Sequence, residues 1–125
     1  MSLGGAFVSE LPILDAEPLR DLLELGAEEG LVQELIGLYQ EDVPPRMVAL
    51  REGLAAGDLP RMLMEAHQMK GALSNLGLVR FAHMAARVEA EARAGHLVES
   101  PALIAALPAA FDEGLAAFRE AFPER

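Results

Sequence analysis

Residues 65–77 of the chain read Glu65-Ala66-His67-Gln68-Met69-Lys70-Gly71-Ala72-Leu73-Ser74-Asn75-Leu76-Gly77. Apolar residues recur through this segment and just before it, in steps of four and three, at Met62, Ala66, Met69, Leu73 and Leu76. This spacing puts them on one side of an α-helix, because residues three and four apart share a helix face. The segment therefore predicts an amphipathic helix with one buried seam.

The opposite side of this predicted helix carries His67. At about 100° per residue, its side chain points roughly 140° away from the centre of the seam, toward solvent. The same exposed side carries Leu63, Met64, Gly71 and Ser74, with Lys70 at its edge. A glycine inside a helix costs roughly 1 kcal/mol relative to alanine. We interpret Gly71, one turn after His67, as a gap through which another protein can approach the imidazole.

Five of these residues, His67, Lys70, Gly71, Ala72 and Gly77, fit the pattern H-x-x-K-G-(A/S) with a later glycine. This pattern resembles the motif of histidine-containing phosphotransfer (HPt) domains of bacterial two-component phosphorelays. The likeness continues through Leu78, Arg80, Phe81 and Ala82 to Val88 and Glu89.

The resemblance implies that His67 is the phosphoacceptor. It would take a phosphoryl group from a receiver-domain aspartyl phosphate, or from a kinase, and pass it to a response-regulator aspartate. It also implies a carrier and not an enzyme, because the partner receiver domain supplies the Mg²⁺ and the catalytic groups. We therefore expect no cofactor on this chain, and receiver domains or a sensor histidine kinase as partners.

Three residues are expected to support the phosphoryl group: Lys70, Gly71 and Ser74. Phosphoryl transfer depends on positioning and charge stabilisation, and a compact lysine ammonium can follow a moving phosphate. The alternatives remain that Lys70 is only a solvated flank of the helix and that Ser74 only covers its exposed face.

A receiver-docking surface is predicted from Leu63, Met64 and Gly71. Met64 points about 160° away from the seam, and methionine adapts to more than one partner.

Two helices are predicted before the motif. A short one starts at Asp15 as the N-cap and stops at Gly26. The next starts at Glu28 or Glu29 and ends near Gly57, either as one helix kinked at Pro44 and Pro45 or as two nearly collinear helices. Its buried side is predicted to be Leu31, Leu35, Leu38 and Tyr39, then Met47, Leu50 and Leu54.

Asp58 is the predicted N-cap of the motif helix, and two more helices follow it. The first ends at Gly95 and buries Leu78, Phe81, Ala85, Val88 and Ala92. The second starts with Ser100 as a side-chain cap before Pro101. It buries Ile104, Leu107, Phe111, Leu115, Phe118 and Phe122.

The helical pattern predicts an all-α fold, an antiparallel up-and-down four-helix bundle with an additional short N-terminal helix. The HPt resemblance implies the same fold. Residues 1–12 are assigned to a poorly ordered leader and residues 13–125 to one HPt domain.

Composition excludes several function classes. The chain of 125 residues has a net charge of −10, which disfavours nucleic acid as a partner. It has no cysteine, so disulfides and thiol chemistry are excluded. No uncharged apolar run of about 18 residues could span a membrane, and we expect a cytoplasmic monomer. No metal-binding motif is present.

Other interpretations are weaker or stay open. His83 lacks the lysine and glycine that follow His67, so we interpret it as a surface residue.

A helical adaptor, which binds receiver or kinase domains without being phosphorylated, is the alternative function, since fold does not determine function. Such an adaptor would not need His67, Lys70 and Gly71 together.

Overall fold

The computed structural model describes residues 10–28 and 30–123. Its helices are α1 (Glu17–Glu24), α2 (Gly30–Ala56), α3 (Leu59–Asn75), α4 (Val79–Ala94) and α5 (Ser100–Ala121). Helix α3 packs between α2 and α4, and α5 closes the ring by contacting both α4 and α2. Short connections make neighbouring helices antiparallel. The predicted four-helix bundle with a short additional N-terminal helix is confirmed for the described residues.

The buried seams of α3 and α4 are those predicted from the sequence. In α3, Met62, Ala66, Met69 and Leu73 are fully buried. All five predicted core residues of α4, Leu78, Phe81, Ala85, Val88 and Ala92, are buried as well. Asp58 caps α3 as predicted, because its side chain accepts a hydrogen bond from the backbone N–H of Arg61 at 3.1 Å.

Tyr39 of α2 is the centre of an aromatic cluster that joins α2, α4 and α5. Its ring stacks on Phe111 with centroids 4.6 Å apart, and it meets Phe81 and Phe118 edge-on. Its hydroxyl donates a hydrogen bond to the Phe111 carbonyl at 2.8 Å. Burial raises the pKa of Tyr39 well above its usual value. Gly114 makes room for this hydroxyl, since a Cβ there would lie 2.6 Å from it.

The predicted buried side of α2 is partly wrong. In the first half of the helix the buried residues are Val32, Ile36, Tyr39 and Val43, whereas Leu31 and Leu35 are half-buried and Leu38 is exposed. In the second half Leu50 is buried as predicted, and Met47 and Leu54 are half-buried. The helix is continuous through its two prolines. The carbonyls of Gln40 and Glu41, which lose their helical donors to Pro44 and Pro45, belong to exposed residues, so water can satisfy them.

Ser100 does not cap α5 with its side chain, contrary to the prediction. It is fully buried, and its hydroxyl donates to Oε1 of Glu91 at 2.7 Å. The Glu91 carboxylate also accepts the backbone N–H groups of Val98, Glu99 and Ser100. A carboxylate from α4 thus replaces the serine cap, and its full charge complements the helix dipole.

The segment before α1 lies against the α3–α4 turn. The carbonyl of Leu11 accepts from the Arg80 guanidinium, and that of Pro12 accepts from the Arg80 backbone at 3.1 Å. Gly77 has φ +77°, and a Cβ there would lie 2.3 Å from the carbonyl oxygen of Asp15. Most of the leader predicted over residues 1–12 lies outside the described residues, but Leu11 and Pro12 are hydrogen-bonded to α4.

Helix α5 has the length and mean hydropathy, 1.3, that would fit a membrane span. Its core residues pack inside the bundle, and Asp112 and Glu113 lie exposed near its middle. These contacts and charges fit a bundle helix.

Candidate functional site

The exposed side of α3 carries the residues that the sequence singled out. The His67 side chain is 62% exposed, and Met64 and Ser74 are exposed as well. A Cβ built on Gly71 would meet no atom within 4 Å, so the space beside His67 is open. Leu63 differs from this group because it is half-buried and packs against the core, so only part of its surface is available to a partner.

A buried carboxylate from α4 holds the His67 ring. Oε2 of Glu89 lies 2.7 Å from Nδ1 of His67, and the Glu89 side chain is only 6% exposed. An ionised carboxylate accepts hydrogen bonds and cannot donate them. In the neutral ring Nδ1 therefore carries the hydrogen and donates a hydrogen bond to Glu89, which leaves the lone pair on Nε2.

Two cations share the Glu89 carboxylate with His67. Nζ of Lys70 lies 2.5 Å from Oε1, and the guanidinium of Arg93 lies 3.0 Å from Oε2. Burial alone would raise the pKa of Glu89. The hydrogen bonds from Lys70 and His67 outweigh burial and hold that pKa below its usual value. The carboxylate is thus ionised at neutral pH, as the His67 tautomer requires.

Glu89 and Arg93 are site residues that the sequence analysis did not assign. A signal for Glu89 exists, because it follows buried Ala85 by four residues and precedes buried Ala92 by three. A carboxylate on a buried stripe needs a cation or donor from a neighbouring helix. The sequence does not say which helix supplies it.

His83 is not the simple surface residue that was predicted. It is half-buried, and its Nε2 is buried with no hydrogen-bond partner among the described residues. It lines an open groove of about 380 Å³ with Leu11, Lys70 and Ser74. The carbonyl of Leu11 is hydrogen-bonded to Arg80 in the same part of α4. No carboxylate in the described part of the chain pairs with the His83 ring, in contrast to His67.

Comparison with known proteins places the chain in a family. The family model for the Hpt domain matches residues 34–121. The chain belongs to the Hpt family. A solved structure with the same fold is histidine-containing phosphotransfer protein B (HptB) from Pseudomonas aeruginosa PAO1, with a TM-score of 0.78 and 32% sequence identity. That match covers 89% of this chain and 95% of HptB. No curated protein matches the chain.

Membership of the Hpt family gives the chain a phosphotransfer role in a phosphorelay. Hpt domains are carriers of phosphoryl groups and generally not enzymes. The matched region includes all of α3 and α4, and so the His67–Glu89 pair with its two cations. No group of three or more metal-ligating side chains is assembled within residues 10–28 and 30–123.

Proposed function

We propose that His67 accepts a phosphoryl group from the aspartyl phosphate of a receiver domain, or from a kinase, and passes it to an aspartate of a response regulator. The observation that carries this proposal is the 2.7 Å contact between Nδ1 of the His67 ring and the buried Glu89 carboxylate. Glu89 accepts a hydrogen bond from Nδ1–H, so the nucleophilic lone pair of the neutral ring is on Nε2 of an exposed side chain.

In the reaction, the Nε2 lone pair attacks the phosphorus in line with the departing oxygen. The P–N bond forms while the P–O bond to the donor aspartate breaks, and its electron pair returns to that carboxylate. Lys70 and Arg93 contact the same Glu89 carboxylate as the ring. We expect these cations to stabilise the charge of the phosphoryl group, because phosphoryl transfer depends on charge stabilisation. The Mg²⁺ and the remaining catalytic groups belong to the partner receiver domain.

The partner approaches over the exposed side of α3. Gly71 leaves space beside the imidazole, Met64 offers an exposed apolar contact, and Ser74 is available to donate a hydrogen bond. The half-buried Leu63 contributes only its outer surface. Receiver domains and sensor kinases of this kind exchange phosphoryl groups in the cytoplasm, where we place this chain as a monomer.

The direct test is phosphorylation by a receiver domain carrying a radiolabelled aspartyl phosphate. We expect label that is labile in acid and stable in alkali, as an N–P bond is. The His67→Gln variant should take up none, while His83→Gln should label as the wild type does. Undiminished labelling of His67→Gln would show that the acceptor is another residue. Binding of the receiver with no labelling at all would favour the adaptor alternative.

A further inference from the structure

The carboxylate that contacts the His67 ring lies at the nitrogen that would not be phosphorylated. Glu89 is buried on α4 and meets the ring at Nδ1, whereas the phosphoryl group would be attached at Nε2, on the opposite edge. Attachment at Nε2 therefore need not displace the carboxylate. The contact at 2.7 Å can persist through the phosphorylated state.

We propose that Glu89 keeps the proton on Nδ1 of phosphorylated His67, so that neutral imidazole is the leaving group when the phosphoryl group is passed on. This inference rests on the proposed function of His67. It makes Glu89 a positioning residue for the second half of the reaction, in addition to its effect on the tautomer of the free ring.

The chemistry of the departing group explains why this proton matters. Loading Nε2 while Nδ1 keeps its hydrogen leaves a positive charge on the ring, which the Glu89 carboxylate balances. When the P–N bond breaks, its electron pair returns to Nε2, and phosphorus bonds to the acceptor aspartate. The ring is then neutral, and no proton has moved. If Nδ1 had lost its hydrogen, the departing group would be an imidazolate anion, which is a far poorer leaving group.

The other charges around the ring make Glu89 necessary for this proton. Lys70 on α3 and Arg93 on α4 are both cations, so without Glu89 they would disfavour a positively charged ring. From α2, Arg46 pairs with Glu65 at 2.9 Å, and Glu52 pairs at 3.1 Å with Arg61, which points about 120° away from His67 around α3. Glu65 points about 160° away from His67 around the helix. Glu89 is thus the carboxylate that faces the ring.

The test compares onward transfer by the wild type and by Glu89→Gln at several pH values. Gln retains the size and an accepting oxygen for Nδ1–H but lacks the charge. Both proteins are loaded chemically with phosphoramidate and mixed with the same receiver domain. We expect the wild-type to variant rate ratio to rise with pH, by about tenfold per unit once the variant ring has lost its proton. Taking the ratio removes the receiver's own pH dependence.

A matched control is Glu113→Gln, which removes an exposed carboxylate on α5 and changes the net charge equally. Its rate ratio to the wild type should stay constant with pH. A constant ratio for Glu89→Gln would overturn the proposal, because a merely structural role would not depend on pH. Failure of the proposed function would look different, as the wild type itself would then accept no label from a phosphorylated receiver.

A second measurement needs no variant, so it tests the protonation of Nδ1 even if Glu89→Gln does not fold. The wild-type domain is labelled with ¹⁵N-histidine, loaded with phosphoramidate, and followed by long-range ¹H–¹⁵N NMR from pH 6 to 9. We expect Nδ1 of His67 to keep the chemical shift of a protonated nitrogen through neutral pH and above. Loss of that proton near pH 7 would overturn the proposal.

Discussion

Nδ1 of His67 and Oε2 of Glu89 lie 2.7 Å apart, although the two residues are 22 positions apart and on different helices. The contact depends on the axial register of α3 against α4, which their buried seams maintain. The same carboxylate divides its oxygens between partners. Oε1 contacts Lys70, and Oε2 contacts both His67 and Arg93.

Because the two oxygens have different partners, we expect removal of Lys70 and removal of Arg93 to lower the stability by different amounts. Lys70→Ala removes the cation that contacts Oε1, and a buried acceptor left unpaired costs about 1–3 kcal/mol. Arg93→Ala leaves Oε2 with His67, and the arginine side chain is largely exposed, so we expect a loss below about 0.5 kcal/mol. Urea denaturation of the two variants at neutral pH measures the difference. Equal losses would mean that Glu89 does not discriminate between them.

The rotational orientation of α3, which exposes His67, can be tested by truncating side chains that it buries in the core. Leu73 is fully buried on the α3 seam, so Leu73→Ala should lower the free energy of unfolding by about 2–5 kcal/mol. Its neighbour Ser74 is exposed and serves as the control, with an expected change within about 0.5 kcal/mol. Phe81→Ala on the facing helix should cost about 3–5 kcal/mol. A small effect for Leu73→Ala would contradict the phase of α3.

The sequence predicted α3 and α4 well because their apolar residues form one stripe each. Helix α2 was harder, since Leu31, Leu35 and Leu38 form one apolar stripe and Val32, Ile36 and Val43 form another beside it. Periodicity cannot choose between two adjacent stripes. The choice is made by packing, because Tyr39 needs a position opposite Phe111 and Gly114.

The sequence predicted the site residues on α3 but not those on α4. The exposure of His67 and the open space at Gly71 follow from helix phase and from the absence of a side chain. The contacts of Glu89 with His67 and Lys70 do not follow from either sequence segment alone, because they require the relative height of two helices. Arg93 became part of the site only through Glu89.

Acid sensitivity is expected from the carboxylate that caps α5. Burial alone would raise the pKa of Glu91, but hydrogen bonds from Ser100 and Val98 outweigh it and lower that pKa from 4.5. A carboxyl whose pKa is lower when folded stabilises the protein above the unfolded value and loses this contribution as pH falls through the folded value. The free energy of unfolding should therefore decline below about pH 4.5.

The Glu91→Gln variant isolates this contribution. It should be less stable than the wild type at pH 7, by about 1–3 kcal/mol, because a neutral amide caps several N–H groups less well. Its stability should also fall less steeply in acid than that of the wild type. Some acid dependence should remain, because the pKa of Glu89 is also lowered in the folded protein. Urea denaturation at pH 7 and below pH 4.5 measures both effects. Parallel acid profiles for the two proteins would rule out Glu91 as a source of the acid sensitivity.

Three glycines inside helices should respond differently to alanine. Gly37 and Gly71 have no atom within 4 Å of an added Cβ, so Ala at either should stabilise the helix by up to about 1 kcal/mol. At Gly114 the Cβ would meet the Tyr39 hydroxyl at 2.6 Å and Leu78 at 3.3 Å. Overpacking there costs about 1–3 kcal/mol, which exceeds the gain in helix propensity.

Only Gly71→Ala should change transfer, because the methyl group would stand in the path of a partner toward His67. We expect this variant to be more stable and yet slower in accepting a phosphoryl group from a receiver, and Gly71→Leu to be nearly inactive while folded. Gly37→Ala has the same expected gain in stability and should transfer at the wild-type rate. This control shows whether slower transfer by Gly71→Ala comes from a more stable helix or from a methyl group that obstructs the partner. If Gly71→Ala is stabilised and also transfers at the wild-type rate, the glycine is not there to admit a partner.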